Sequence, residues 1–367
     1  MLYRHTYLEK DRSLGNSGER TVDINLQDPI TALWLEMRCN NGASYNHHNP
    51  KHENISAIEI IDGADVVCSV DGEQLLAMVC ADLGYFPHQR FAGMGNDPQS
   101  LALPIMFGRF LGDKEFALDP TRFTNPQLRV KWNLATNNAV GATGFEDGGL
   151  TMTLIAEVMA GAAKPSGYLM RKEHYTWSTV VGTEYIDLPT DEAYRSLMFR
   201  GHKVAYHPYG VISDLKLNCD GGAFVPMDVA VEDLLYLEMM RQPRLSYRIV
   251  DHLKDGDTFY SYLNELEDVT FNVEDTHDAV ASYFNYEYGS RLVSYYIAGS
   301  SSGASHGNIG AHVHGYCPFG YVHVPFGDPK DVADWFPAPT FKSIRLEAQG
   351  AVATSECAVC LVQEKRY

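Results

Sequence analysis

Four groups of residues have types and spacings that suit chemistry. In His312-Val313-His314 two imidazoles stand two apart; on a strand such residues share a face, and together with His323 they could hold one transition metal. Gly299-Ser300-Ser301-Ser302-Gly303 matches the G-x-S-x-G pattern of a nucleophilic serine, which works only on a tight turn from a strand into a helix. A strand pattern, Leu292 to Ile297, precedes it, but Gly, Ser and Asn continue to Gly310 without helical periodicity, so a flexible loop is expected. Cys357-x-x-Cys360 has the spacing of zinc or redox pairs. It falls inside the apolar run Ser355 to Gln363, where an offset of three sends the two thiols to opposite faces of a strand, so core cysteines are expected. His47, His48 and His52 sit in a polar stretch, residues 39–54, whose flexibility fixes no ligand geometry. Asn54-Ile55-Ser56 matches a glycosylation acceptor and is expected to be a chance match. Paired carboxylates in an acid–base context, a phosphate-cradling glycine loop and a basic aromatic strip are all missing from the sequence. The expectation is therefore a protein that is not an enzyme, with no catalytic, cofactor-binding or metal-ligating residues.

The elements that would position such residues are more informative. The stretch Ile24 to Arg38, INLQDPITALWLEMR, returns at Ile186 to Arg200 as IDLPTDEAYRSLMFR. In both, Ile-x-Leu precedes a polar turn with proline, and an apolar run ends in Arg. A repeated opening phrase is the mark of a duplicated unit. The first copy continues with Ile58-Glu59-Ile60, a turn at Asp62-Gly63 and Val66-Val67; the second continues with Leu215-Lys216-Leu217, Asp220-Gly221 and Phe224-Val225. Asp-Gly between alternating apolar runs is a strong hairpin signal. Each copy then enters a short helix behind an aspartate. Asp71 precedes Leu75, Leu76, Val79 and Leu83, and Asp228 precedes Val231, Leu234, Leu235 and Met239. Aspartate caps a helix because its carboxylate accepts a free backbone N–H. Both copies close on paired strands, Leu128 to Trp132 with Leu150 to Val158, and Ile344 to Glu347 with Ser355 to Gln363.

Short strands, turn punctuation and little helix predict an all-β chain built as two tandem eight-stranded jelly-roll barrels, a double jelly roll, each with one short helix. The expected divisions are an N-terminal arm over 1–20, ordered only where a neighbour holds it; a first barrel over 21–160; a linker over 161–173; and a second barrel over 174–367 that carries a large insert at about 243–325. The insert is rich in tyrosine (Tyr260, Tyr262, Tyr283, Tyr286, Tyr288, Tyr295, Tyr296) and acidic, which suits a contact surface or simply more sheet and loop. The chain has 367 residues, room for two ordinary domains. Its net charge of −18 opposes direct contact with nucleic acid or anionic lipid. The sequence has no apolar run long enough to span a bilayer, and the N-terminal MLYRHTYLEKDRS has no signal-peptide core. Seven cysteines, an odd number without framework spacing, suit reduced thiols.

On these residues the chain resembles a known family. ISAIEIIDGADVVCSVDGEQLLA (Ile55–Ala77), FGRFLGDKEFALDPTRFTNPQLRVKWNL (Phe107–Leu134) and LTMTLIAEVM (Leu150–Met159) resemble the first domain of the major capsid proteins of tailless, membrane-containing icosahedral phages, the corticovirus-like viral coat protein family. The second copy keeps the same frame more loosely in IDLPTDEAYRSLMFRG and LKLNCDGGAFVPMDVAVEDLL, and the large insert has no counterpart. The resemblance implies a structural protein of the virion, assembled in the host cytoplasm. Two barrels would stand side by side, and three chains would form a pseudo-hexagonal capsomer. Its partners would be further copies of itself, minor capsid and penton proteins and, as a further candidate, the internal viral membrane, with no direct contact to the genome. The insert would project outward as a tower. Two other classes stand beside this one. One is a metal-dependent bicupin-like enzyme resting on His312 and His314, since cupins use an H-x-H motif; Gly315 to Gly320, however, lacks the glutamate of that motif, and the first copy lacks the histidine pair. The other is a β-sandwich adhesion or carbohydrate-binding protein using the tyrosine-rich insert.

Overall fold

The computed structural model describes the chain except for residues 1, 44–45, 47–48, 91–94, 137–143, 162–163, 255–257, 263–264, 276–281, 286–291 and 298–305. The first half contains strands β1 (Leu2–Ser13), β2 (Ser17–Asp23), β3 (Ile30–Asn40), β4 (Ile55–Asp62) and β5 (Asp65–Val70), helix α1 (Gly72–Leu83), and strands β6 (Gln89–Arg90), β7 (Pro98–Met106), β8 (Gln127–Asn133) and β9 (Thr151–Ala160). The second half opens with β10 (Gly167–Trp177), β11 (Gly182–Leu188), β12 (Tyr194–His202), the single turn α2 (Pro208–Val211), β13 (Ile212–Cys219), β14 (Phe224–Ala230) and α3 (Val231–Arg241). An inserted block follows: β15 (Leu245–Lys254), β16 (Thr258–Tyr262), β17 (Glu267–Asp275), β18 (Ser282–Asn285), β19 (Leu292–Ile297) and β20 (His306–Tyr316). The chain closes with β21 (Tyr321–Pro325), β22 (Ile344–Gly350) and β23 (Glu356–Arg366).

Strand order makes the duplication explicit. In the first half β1-β9-β3-β7-β6 form one sheet, and β2-β8-β4-β5 run together in the other. In the second half β10-β23-β12-β21 and β11-β22-β13-β14 repeat those orders strand for strand. Each half is therefore an eight-stranded jelly roll, with the two-residue β6 as an addition. β5 and β10 also pair with each other, in parallel, with Arg171 opposite Cys68 and Lys172 opposite Ser69. That pairing fuses one sheet of each barrel into a single eight-stranded sheet.

The alternation read from the sequence decides what faces inward. Leu33, Leu35 and Met37 on β3 are buried, while Trp34 and Glu36 are half-buried and Arg38 is exposed. The Asp62-Gly63 turn closes the β4–β5 hairpin with Gly63 at φ +60°, a conformation that costs glycine nothing. Asp71 caps α1 in a full capping box: Gln74 N–H donates to Asp71 Oδ1 at 2.7 Å, and Asp71 N–H donates to Gln74 Oε1 at 2.9 Å. Asp228 does not cap the second helix. It remains in β14, opposite Lys216, with its carboxylate 3.1 Å from Lys216 Nζ, and α3 starts behind Ala230 with no side-chain cap.

Three boundaries differ from the reading above for physical reasons. Residues read as an arm form β1, which pairs along its length with β9 of the same chain. Polar residues on both faces of this edge strand hid the strand pattern. Residues 161–173, read as a linker, contain the start of β10; Gly167 to Arg171 are all buried, so no alternation marks them as strand. The insert read as ending near 325 ends before β21, which is a barrel strand paired with β12. Within the insert, β15-β20-β17 and β16-β19-β18 form two three-stranded antiparallel sheets. Leu245, Leu266 and Val313 root its base in the core that also contains the first barrel.

Replacing Asp71 with Ala removes the carboxylate that accepts the Gln74 N–H, half of the capping box, and is expected to lower the stability of the full chain by about 1–2 kcal/mol, read as a loss in the denaturation midpoint.

Candidate functional site

The residues singled out for chemistry are scattered. His312 and His314 lie on β20, half-buried; the register sets Arg248 and Asn272 beside His312, and Ser246 and Thr270 beside His314. None of those four neighbours is a carboxylate. His323 is elsewhere, buried on β21. Cys357 and Cys360 point to opposite faces of β23: Cys357 packs in the core of the second barrel, and Cys360 in the core shared with the first. Burial raises both thiol pKa values, Cys357 to about 11. Gly299 to Gly303, and His47 and His48, lie outside the described residues, as do the side chains of Tyr260, Tyr262, Tyr283, Tyr286, Tyr288, Tyr295 and Tyr296.

His52 belongs to a packed segment where a flexible loop was expected. Lys51, His52 and Asn54 are buried. Lys51 Nζ donates to the carbonyls of Gln99 and Cys39 at 2.7 and 3.2 Å, and burial lowers its pKa to about 7. Asn54 donates to Pro50 O and accepts from Ala135 N–H, so the acceptor amide of the glycosylation match is occupied. The His52 carbonyl crosses so close to α1 that a Cβ on Gly72 would lie 2.2 Å from it. Among the described residues, His52, Glu53 and Glu73 form the one cluster whose ligand atoms fall within 4.8 Å of one another. Arg200 stands 3.2 Å from the Glu73 carboxylate, so a cation already sits against that group.

The most organised polar chemistry is at the joint between the barrels. Helix α1 of the first barrel is wedged there, with Gly72 to Cys80 all buried. Its two ends carry acids, and strands of the second barrel bring arginines to them. At the C-terminal end Asp82 binds Arg171 of β10 at 2.7 Å and Arg195 of β12 at 2.5 Å. All three side chains are at most 4% exposed. Burial alone would raise the Asp82 pKa, but the two guanidiniums override it and hold the carboxyl below its usual range. At the N-terminal end Glu73 meets Arg200, which also donates to the Phe319 carbonyl at 3.0 Å and stands over the Tyr321 ring.

Two histidines frame this network. His202 contacts Glu265 at 3.0 Å and Glu356 at 3.5 Å. Burial lowers its pKa, but the hydrogen bonds to Glu265 and Glu356 prevail and raise it to about 9. His323, enclosed near Asp82, Arg171 and Arg195, is driven down to about 4, by burial first and by Arg195 second. Beside it, Glu238 of α3 is raised to about 8 by burial, although it accepts a hydrogen bond from the His323 backbone N–H. None of Asp82, Arg171, Arg195 and Glu238 stood out in the sequence, because each reads as an ordinary surface charge until the second barrel covers it.

The joint generates two expectations. Asp82→Asn leaves two buried guanidiniums without an anion and should cost about 3–5 kcal/mol, seen as a lowered melting temperature. Glu238 has the opposite sign. Its folded-state pKa is above its unfolded value, so its contribution is full below about pH 4.5 and is lost as pH rises through about 8. Glu238→Gln should therefore raise stability at pH 8.5 relative to the parent chain by about 2–4 kcal/mol and leave it nearly unchanged at pH 4.5.

No protein-family model matches the chain, and no curated protein matches it. Solved structures do. The major capsid protein P2 from bacteriophage PM2 superposes with a TM-score of 0.55 at 11% identity, covering 100% of this chain and 98% of that one. The PBCV-1 virus capsid gives 0.59 at 9% identity, covering 99% and 93%. A chain in the atomic structure of Sulfolobus Turreted Icosahedral Virus gives 0.56 at 8% identity, covering 99% and 90%. Over its whole length the chain has the double jelly-roll fold of these viral capsid structures.

Proposed function

We propose that the chain is a viral major capsid protein, a structural subunit without catalytic activity, three copies of which form the pseudo-hexagonal capsomer of an icosahedral shell. The observation that carries this is the pairing of β5 with β10: two copies of one barrel stand side by side on a continuous sheet, over a length that matches the capsid structures end to end. A duplicated barrel gives three chains six similar outer faces, which suits a near-hexagonal lattice. The expected location is the virion, with assembly in the host cytoplasm. The expected partners are neighbouring capsomers, minor capsid and penton proteins and the internal viral membrane. The net charge of −18 suits a coat that does not touch the genome. The insert between α3 and β21 supports a projection repeated three times per capsomer, facing outward.

The purified full chain, 40.9 kDa, is expected to elute as a stable species of about three times that mass by light scattering, the mass of a closed three-copy ring. A chain that stays monomeric at high concentration would count decisively against a capsomer.

A further inference from the structure

The barrel joint and the root of the insert are closed by different cations. At the joint Asp82 is met by Arg171 and Arg195, whose guanidiniums stay charged throughout the working range of pH. At the root, the segment entering β17 buries Glu265, Leu266 and Glu267 in succession, each at most 2% exposed. Among the described residues, the cations against these two carboxylates are histidines of the second barrel. His202, at the end of β12, places Nε2 3.0 Å from Glu265, and His207, just before α2, places Nδ1 2.5 Å from Glu267. Histidine, unlike arginine, changes charge under mild conditions. We infer that these two pairs form a proton-held latch, which docks the insert on the second barrel and lets its root go on alkalinisation while the joint stays closed.

A strained turn beside the latch carries the chain out of the insert. Between β20 and β21, Cys317 has φ +48° and Phe319 φ +59°, left-handed conformations for two residues with side chains, and Gly320 follows at +71°. Such strain persists only where the surroundings hold it. One hold comes from the latch segment itself: the Phe319 N–H donates to the Glu265 carbonyl at 2.9 Å. The barrels supply two more. Arg200 Nε donates to the Phe319 carbonyl at 3.0 Å, and the His52 ring lies 4.9 Å from the Phe319 ring. The last strand of the insert is also fitted closely to the acids, since a Cβ on Gly315 would lie 2.7 Å from the Glu267 carbonyl. Undocking of residues 265–267 removes one hold from the turn and lets it relax, so opening of the two pairs and movement of the insert are coupled.

The groups that face the latch set the sign of its response. His202 faces Glu265 of the insert, Glu356 of β23 and Arg200 of its own strand; burial and Arg200 oppose its charge, but the two carboxylates prevail and hold its pKa at about 9. Glu267 faces His207 of the barrel, whose ring stacks on Tyr209 at 4.8 Å, and Glu265 and Asp268 of its own segment. Asp268 in turn lies beside Arg244. Burial outweighs His207 and raises the Glu267 pKa above its usual range. Cys317 of the turn faces both Glu267 and Glu238 of α3. Both latch shifts are upward, so the docked root binds more protons than the undocked one. The contribution of His202 is full below its ordinary pKa of about 6.5 and is lost as pH rises through about 9, and that of Glu267 falls in the same direction.

Cys317, buried in the turn, reports release. The full chain is pulsed with iodoacetamide, and labelling of Cys317 is read by peptide mass spectrometry relative to Cys68 and Cys80, buried thiols of the first barrel that correct for the general rise of thiolate with pH. Between about pH 7 and about pH 10 the ratio should rise about tenfold or more. His202→Ala with His207→Ala leaves both acids buried without these partners and should give the high ratio already at about pH 7. Glu265→Gln with Glu267→Gln removes the charges whose pairing is lost, and should hold the ratio level across the range. A level ratio in the parent chain overturns the latch, and so does a rise of equal size in the double glutamine variant. Opening of the whole chain labels all three thiols together, keeps the ratio level and overturns it as well.

Discussion

Arg171 and Arg195 reach Asp82 from a different barrel, and all three charges are out of water. Neither barrel can move away without exposing charge that no longer has its partner, or leaving it buried and uncompensated, which is more costly still. Parallel pairing of β5 with β10 covers only two residues of each strand and would hold little by itself. The ion network and the enclosed helix α1 turn that short register into a fixed joint. The orientation of one barrel against the other, the burial on both faces of β12 and of Gly167 to Arg171 in β10, and the rooting of the insert all depend on it.

Duplication explains why the joint is asymmetric. Two copies of one barrel present two copies of every surface, but a single chain can bring together only one complementary pair. The pair that is used is suited to burial: small, buried Ala77 on α1, and a carboxylate between two guanidiniums. The pair left over keeps larger apolar side chains, Tyr236, Leu237 and Met240, on a helix that already buries its other face. A solitary folded domain gains nothing from three such side chains in water, whereas an assembling one gains their transfer free energy.

Much of the fold was legible in the sequence, because the repeated phrase and the Asp-Gly turns carry their own geometry. Asp71 capped α1 as its position suggested, since Gln74 stands three residues later to complete the box. Asp228 looked the same in sequence, but a lysine directly across the hairpin holds it in the strand. The supposed arm and the supposed linker turn out to be one element, the first strand of each barrel. β1 was hidden by being polar on both faces and the start of β10, Gly167 to Arg171, by being buried on both, so neither shows a period of two. The charged centre of the joint was not legible at all. Asp82, Arg171 and Arg195 are far apart in the chain, and no local pattern distinguishes a charge that a distant barrel will cover from one that stays wet.

Net charge sharpens the meaning of the free edges. A chain carrying −18 repels its own copies, so association has to overcome that repulsion at the contact. β1 and β3 carry Arg4, Lys10, Arg12 and Arg38, but Arg4 lies beside Asp28 and Arg38 beside Glu36 and Asp11, so these cations are met within the chain. The edge strands β1 and β14 thus set their hydrogen-bonding groups among charges already paired within the chain, and any strand that adds there has to offset the net repulsion through backbone bonds and apolar contact.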